Sequence, residues 1–453
     1  MKKNQKWMIV LLLLMLTGSL SGCSVPNLVF SPQELYELPE LPVKYTELTK
    51  QLNAILDSGA EYAAPTSGTN IQPVQLVDLD GDRREEAIAF FRNPEEEKPL
   101  KIYIFTAEGD HYERAELIEG SGTGIYSVSY QDLDGDGRLE LAVGWKAAAD
   151  LQVLEIYALH NQGAEVLIRT NYVKYTTADL NQDQRQEVVV FRANDDGDGI
   201  ADYYNWQADG SLASQVSAKI SATMAELSQL GRVTHGKLRG EVPALFVTGV
   251  TDTARAITDI LTVRNGELTN IVLSELTGVS SEIASYCTLY PSDINGDGLT
   301  EVPRPTPMLS LAVDGLTYQR MDWSSYDEQG TPEVTVRTYH NLEDKWYLRL
   351  PDEWLNGIWI SRSVVLDEAI TTFYILEEDG LVTTPFLRIS TVAGANREIK
   401  AVRGNRFVLS RQSETIYTAE LLEANGNWEH GVTPDEVRSA FSLITKEWVA
   451  GDN

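Results

Sequence analysis

Four stretches of this 453-residue chain place side-chain oxygens at positions 1, 3 and 5 of a short loop and a glutamate at position 9. They are Asp78, Asp80, Asp82 and Glu86; Asp132, Asp134, Asp136 and Glu140; Asp179, Asn181, Asp183 and Glu187; and Asp293, Asn295, Asp297 and Glu301. Oxygens at alternate positions of a tight loop, closed by a carboxylate, make the shell that a hard cation such as Ca²⁺ takes. The backbone carbonyl at position 7 is a further expected ligand: Arg84, Arg138, Arg185 and Leu299. Mg²⁺ is disfavoured because it demands a small octahedral shell and holds its water. Zn²⁺ is disfavoured because the five histidines fall at no ligand spacing and the two cysteines are far apart.

Two rival readings of the loops fail. An EF-hand needs a bidentate Glu at position 12 and a helix after the loop. Here position 12 is Ala89, Val143, Val190 or Arg304, and β-forming sequence follows. Plain turn chemistry explains one Asp-Gly pair. It does not explain repetition of the whole spacing, or an apolar residue at every position 2: Leu79, Leu133, Leu180 and Ile294. Gly137 and Gly298 supply the sharp turn at position 6, where the other two loops carry Arg83 and Gln184 and bend at a cost. A fifth stretch lies out of register. Asn194, Asp196, Asp198 and Asp202, with Gly199, read as a hairpin loop that binds Ca²⁺ by the same logic.

The elements that hold these loops are short strands. Apolar alternation enters each loop, as in Tyr126, Val128 and Tyr130, and a β-branched or aromatic run leaves it. Loop starts at 78, 132, 179 and 293 are separated by 54, 47 and 114 residues, the last being two units. A copy is therefore expected near 233, where Val233, His235 and Lys237 replace the ligands but Glu241 and an exit strand remain. Five units with room for about four strands each predict a β-propeller. Loops of the form D-x-[DN]-x-D-G-x-x-E at this spacing resemble FG-GAP or VCBS repeats, the integrin-α-like propeller units, over roughly residues 66–310. The resemblance implies calcium loops joining strands of successive blades.

The expected fold class is mainly β: a calcium-loop propeller of five or more blades over 60–330, then a small α+β C-terminal domain over 331–453. A helix over 44–59 precedes it, from Leu48, Leu52, Ile55 and Leu56 with Gly59 as cap. The alternative for 310–430 is one or two further blades. Thr433-Pro434-Asp435-Glu436 opens a terminal helix with a capping box, and Val437, Phe441, Ile444 and Trp448 give it an apolar stripe.

Residues 1–22 have the basic n-region and short apolar core of a signal peptide. Leu20-Ser21-Gly22-Cys23 looks like a bacterial lipobox, which implies lipidation of Cys23 and tethering to the extracytoplasmic face of the cell membrane. Residues 23–43 then form a tether. With Cys23 lipidated, Cys287 has no partner for a disulfide and is expected to be buried. Together with Pro65-Thr66-Ser67-Gly68, this resembles repeat-containing lipoproteins of Firmicutes.

A formal net charge of −30 argues against nucleic-acid partners. No nucleophile elbow, P-loop or zinc-hydrolase motif is present. The functional expectation is a membrane-anchored calcium-binding module that binds or assembles an unknown protein or envelope polysaccharide and performs no chemistry. The alternatives are an envelope hydrolase with a dispersed active site and a cell-wall polysaccharide binder.

Overall fold

The structure is a computed structural model describing residues 45–108, 111–160, 163–214, 216–251, 253, 255–285, 289–308, 319–376 and 382–444. The expected signal peptide, tether and lipidation site at Cys23 lie outside these residues, as do Cys287 and Trp448.

The chain is mainly β, in six antiparallel sheets that follow one another along the sequence. In each of the first three sheets the strand that leaves the loop is an almost unbroken apolar run: Glu86–Arg92, Glu140–Ala148 and Glu187–Ala193. Such a strand is buried on both faces, so a packed element must cover each side. Alternate residues serve the two neighbours. Ile88 and Phe90 pack on Val128, Leu141 and Val143 of the second sheet. Ala87, Ala89 and Phe91 pack the other way, on Leu48 and Leu52 of helix Thr46–Asp57.

The pattern repeats outward. Leu154 and Ile156 of the second sheet meet Val188 and Val190 of the third. Val189 and Phe191 meet Leu245 and Val247 of the fourth. Phe246 and Ile260 meet Val302 and Tyr326 of the fifth. Tyr339, Trp346 and Leu348 of the fifth meet Ile358, Ile360 and Phe373 of the sixth. Among the described residues, no buried apolar cluster joins the first sheet to the sixth.

Two expectations change. The boundary at 330/331 falls inside a hairpin, because strands Gln319–Tyr326 and Pro332–Asn341 pair in the fifth sheet. The terminal helix is only Pro434–Ala440, with the capping box of Thr433 and Glu436 formed. Phe441–Leu443 then becomes a strand on Trp346–Arg349, completing the fifth sheet around the inserted sixth. The apolar stripe expected of a longer helix is served by strand geometry instead: Phe441 packs toward the sixth sheet and Ile444 toward Trp323 and Tyr347. The copy near 233, expected to have kept its strands and lost its metal, has no metal loop. Strand Arg232–Leu238 stays in register with Val242–Val250 to its end, and a tight turn at Gly240-Glu241 replaces nine residues. Glu241 is exposed and pairs with Lys237 rather than closing a site.

Candidate metal loops

The first three loops each join two paired strands of one sheet, and the loop at Asp293–Glu301 runs from Ser292, bridged to Glu301, into strand Val302–Pro307 of the fifth sheet, so the apolar position-2 anchor and the closing glutamate are held by the core. Leu79, Leu133, Leu180 and Ile294 are buried, and so are Glu86, Glu140, Glu187 and Glu301. In every copy the glutamate Oε2 accepts the position-2 N–H, at 2.9, 2.8, 2.8 and 3.3 Å in chain order. The position-1 carboxylate accepts the position-6 N–H at 2.9–3.0 Å. Position 5 accepts from the position-7 N–H at 2.7–2.9 Å. The backbone is thus wound around side chains whose remaining oxygens face one another.

That winding requires left-handed backbone at two positions. Position 6 is Gly137 (φ +89°) and Gly298 (φ +88°), but also Arg83 (+70°) and Gln184 (+73°). Position 4 is left-handed as well: Gly81, Gly135 and Gly296, with Gln182 at +62° in the third loop. The glycines at 81, 135 and 296 signalled this in the sequence. Gly81 has a second reason: a Cβ there would stand 2.7 Å from the Gly137 carbonyl oxygen.

Carboxylate oxygens converge within 4.8 Å in three loops: Asp78, Asp80 and Glu86; Asp132, Asp134 and Asp136; Asp179, Asp183 and Glu187. The loops differ in what competes for them. In the first, the Arg84 guanidinium binds Asp82 and holds its carboxyl below the usual range. In the third, Arg185 Nη2 donates to Asp183 at 2.9 Å. In the third and fifth-sheet loops, Asn181 and Asn295 donate Nδ2 to Asp183 (3.3 Å) and Asp297 (2.9 Å). Thr335 also donates to Glu301 Oε1 at 3.1 Å.

The second loop has no such competitor: its carboxylates accept only backbone N–H groups among the described residues. Burial pushes Glu140, Glu187 and Glu301 up to about 7, and raises Glu86 and Asp134 in the same sense. Glu187 is fully buried, and its Oε1 has no hydrogen-bond partner among the described residues. Buried, mutually repelling carboxylates are poor as bare anions and good as cation ligands.

The out-of-register stretch does not assemble. Asn194 Oδ1 accepts from Asp196 and Asp198 N–H, which shapes a hairpin turn. Asp198 pairs with Lys219. Asp202 is buried in the following strand, where Arg192 and Ser217 take its oxygens. Asp202 stands across the ladder from Val190, and the diagonal Arg192 holds its carboxylate, so it does not close the loop.

Adjacent loops are joined through their backbones, which spacing alone did not reveal. Leu139 N–H donates to the Leu79 carbonyl at 2.8 Å, and Gln186 N–H to the Leu133 carbonyl at 2.7 Å. Trp206 Nε1 reinforces the second junction, at 3.1 Å to both Leu133 and Gln186 carbonyls. Where the copy near 233 lacks its loop, a groove of about 850 Å³ opens, lined by Arg232, His235, Lys237 and Tyr290 among others. His235 Nε2 lies 2.6 Å from Thr176 Oγ1, with no carboxylate at its other nitrogen among the described residues. A hydroxyl and imidazole without an orienting acid lack the third member of a catalytic triad.

An FG-GAP-like repeat matches residues 78–143, which contain the first two loops. No curated protein matches the chain. Several of the solved structures with some likeness to it are distant in sequence. A protein from Lactobacillus plantarum shares 10% identity and a TM-score of 0.22, over 78% of this chain and 93% of that one. A putative 6-phosphogluconolactonase from Bacteroides uniformis shares 11% and 0.24, over 65% and 79%. A mutant of AofleA from Arthrobotrys oligospora shares 6% and 0.25, over 73% and 85%. Likenesses this low fix neither blade number nor activity.

Proposed function

We propose that this chain is a calcium-stabilised propeller of FG-GAP type whose sheets are its blades. It is tethered through a lipidated Cys23 to the extracytoplasmic face of a membrane and works as a binding or assembly platform. The second loop carries the reading. Asp132, Asp134, Asp136 and Glu140, with the Arg138 carbonyl, would hold the ion. Its aspartate oxygens converge within 4.8 Å, and among the described residues no side-chain donor satisfies them. The first and third loops would hold ions after their arginines swing aside, and the loop at Asp293–Glu301 after Asn295 turns its oxygen inward. Calcium supplies charge neutralisation there, and the sheet junctions gain the stability. The platform's partner is an envelope protein or polysaccharide.

The test is thermal unfolding of the full chain after metal removal. Readdition of Ca²⁺ should restore a melting point that Mg²⁺ does not, because a ligand that binds only the folded state stabilises by mass action. A melting curve indifferent to metal removal would refute the calcium reading. Loss of membrane fractionation in Cys23→Ala would support the tether, and unchanged fractionation would remove it.

A further inference from the structure

The sixth sheet ends in an apolar tip that nothing among the described residues covers. Its first hairpin turns at Leu366-Asp367, between strands Ile358–Val365 and Glu368–Leu376. Leu366 is 89% exposed and holds a φ of +58°, and Val364 and Val365 are 56% and 59% exposed. Two-residue hairpin turns with positive φ select Asn or Gly, because a side chain there is strained. A leucine gains nothing in such a turn from the fold itself. Beside it, helix Arg397–Ala401 and the residue after it expose Ile399 (73%) and Val402 (59%). Lys400 Nζ bonds Asp367, and the Ala393 N–H donates to the Asp367 carbonyl at 2.9 Å. The hairpin and the helix therefore share one end of the sheet.

Charge at this end runs against the rest of the molecule. The chain carries −30 overall, yet Asp367, Glu368 and Glu398 are each neutralised, by Lys400, Arg406 and Arg411. Arg397 bonds only the Gly394 and Ser413 carbonyls, and Arg403 has no ion pair among the described residues. Two uncompensated guanidinium groups thus flank five exposed apolar side chains. A two-residue turn and one helical turn form too small a face for a stable protein interface, which buries about 800 Å² per partner. They suit a bilayer surface, where apolar side chains enter the headgroup boundary and arginines meet lipid phosphates.

We infer that the Leu366 hairpin and the 397–403 helix dock on an anionic lipid surface. The inference is independent of the calcium loops and of lipidation at Cys23. It is tested by amide hydrogen exchange on the full chain, with vesicles of phosphatidylcholine alone and of phosphatidylcholine with phosphatidylglycerol. Amides of 363–368 and 398–404 should slow about fivefold or more on the anionic vesicles only, local protection being the direct readout of a covered segment. Leu366→Asn should abolish that slowing while melting at or above the wild-type temperature, since asparagine tolerates positive φ. Arg403→Gln should weaken it. Absence of slowing, equal slowing on neutral vesicles, or slowing that survives Leu366→Asn would overturn the inference. So would slowing that needs only high protein concentration, which would assign the tip to a second copy of the chain.

Discussion

Replacing Glu140 with glutamine should reverse the sign of its effect on stability when calcium is added. The glutamate is buried, accepts the Leu133 N–H at 2.8 Å, and faces Asp132, Asp134 and Asp136. Burial pushes it up to about 7, from an ordinary 4.5. In metal-free protein its contribution is therefore fully present below pH 4.5, and is lost as pH rises through 7. At 1.36 kcal/mol per pH unit, holding the charged form near pH 8 costs about 3 kcal/mol relative to the neutral form. Solvent around the exposed part of the loop trims this to about 1–2 kcal/mol. Glutamine keeps the Leu133 bond and carries no charge. Metal-free Glu140→Gln should then exceed wild type by about 1–2 kcal/mol near pH 8 and match it near pH 4.5. With calcium at a hundred times its dissociation constant, wild type gains about 2.7 kcal/mol at that site and the variant gains little. Denaturant unfolding of the resin-stripped and calcium-loaded proteins at two pH values reads all four numbers. A variant destabilised equally at both pH values without metal would refute the assignment of burial and repulsion as the source of the perturbation. A variant stabilised by calcium as much as wild type would refute Glu140 as a ligand.

Three further outcomes follow from other sites. Arg83→Gly and Gln184→Gly should each raise stability by about 0.5–1 kcal/mol in thermal melts, because both relieve a side chain at positive φ. Arg83→Gly should not change the number of calcium ions bound in a titration. Asp202→Ala should cost about 2–3 kcal/mol, by leaving a partly buried Arg192 without its carboxylate. It should leave calcium stoichiometry unaltered, which separates its structural role from a ligand role. Phe441→Ala should cost about 3 kcal/mol by opening a cavity between the fifth and sixth sheets. Limited proteolysis should show both sheets loosened together.

Much of the loop architecture was legible in the sequence because its signals are local. Ligand spacing, the position-2 anchors and the apolar runs after each loop all lie within a dozen residues of one another. The burial of Leu133 and Glu140 and the helix Thr46–Asp57 follow from those patterns. What escaped reading depends on which side chains and strand edges meet once the chain has folded. Nothing near Asp202 says that Arg192 stands across the ladder from Ile200, within reach of its carboxylate. Arg84 and Arg138 occupy the same loop position, yet only Arg84 turns onto its loop's aspartate. The fourth copy kept the length of its unit while its loop became strand, and residue spacing counts both alike. Phe441 fits a helical stripe and a strand edge equally well, and only the free edge of Trp346–Arg349 decides between them.

The return strand also orders events during synthesis. The first four sheets are each complete once their own stretch of chain has emerged, so each can fold against the one before it. The fifth opens at Val302 and is finished only by Phe441–Leu443, after the whole sixth sheet has been made. Until then the edge of Trp346–Arg349 stays unpaired, an invitation to the wrong strand. A chain that stopped before Phe441 would lose the strand that completes the fifth sheet, after every strand of the sixth had been made.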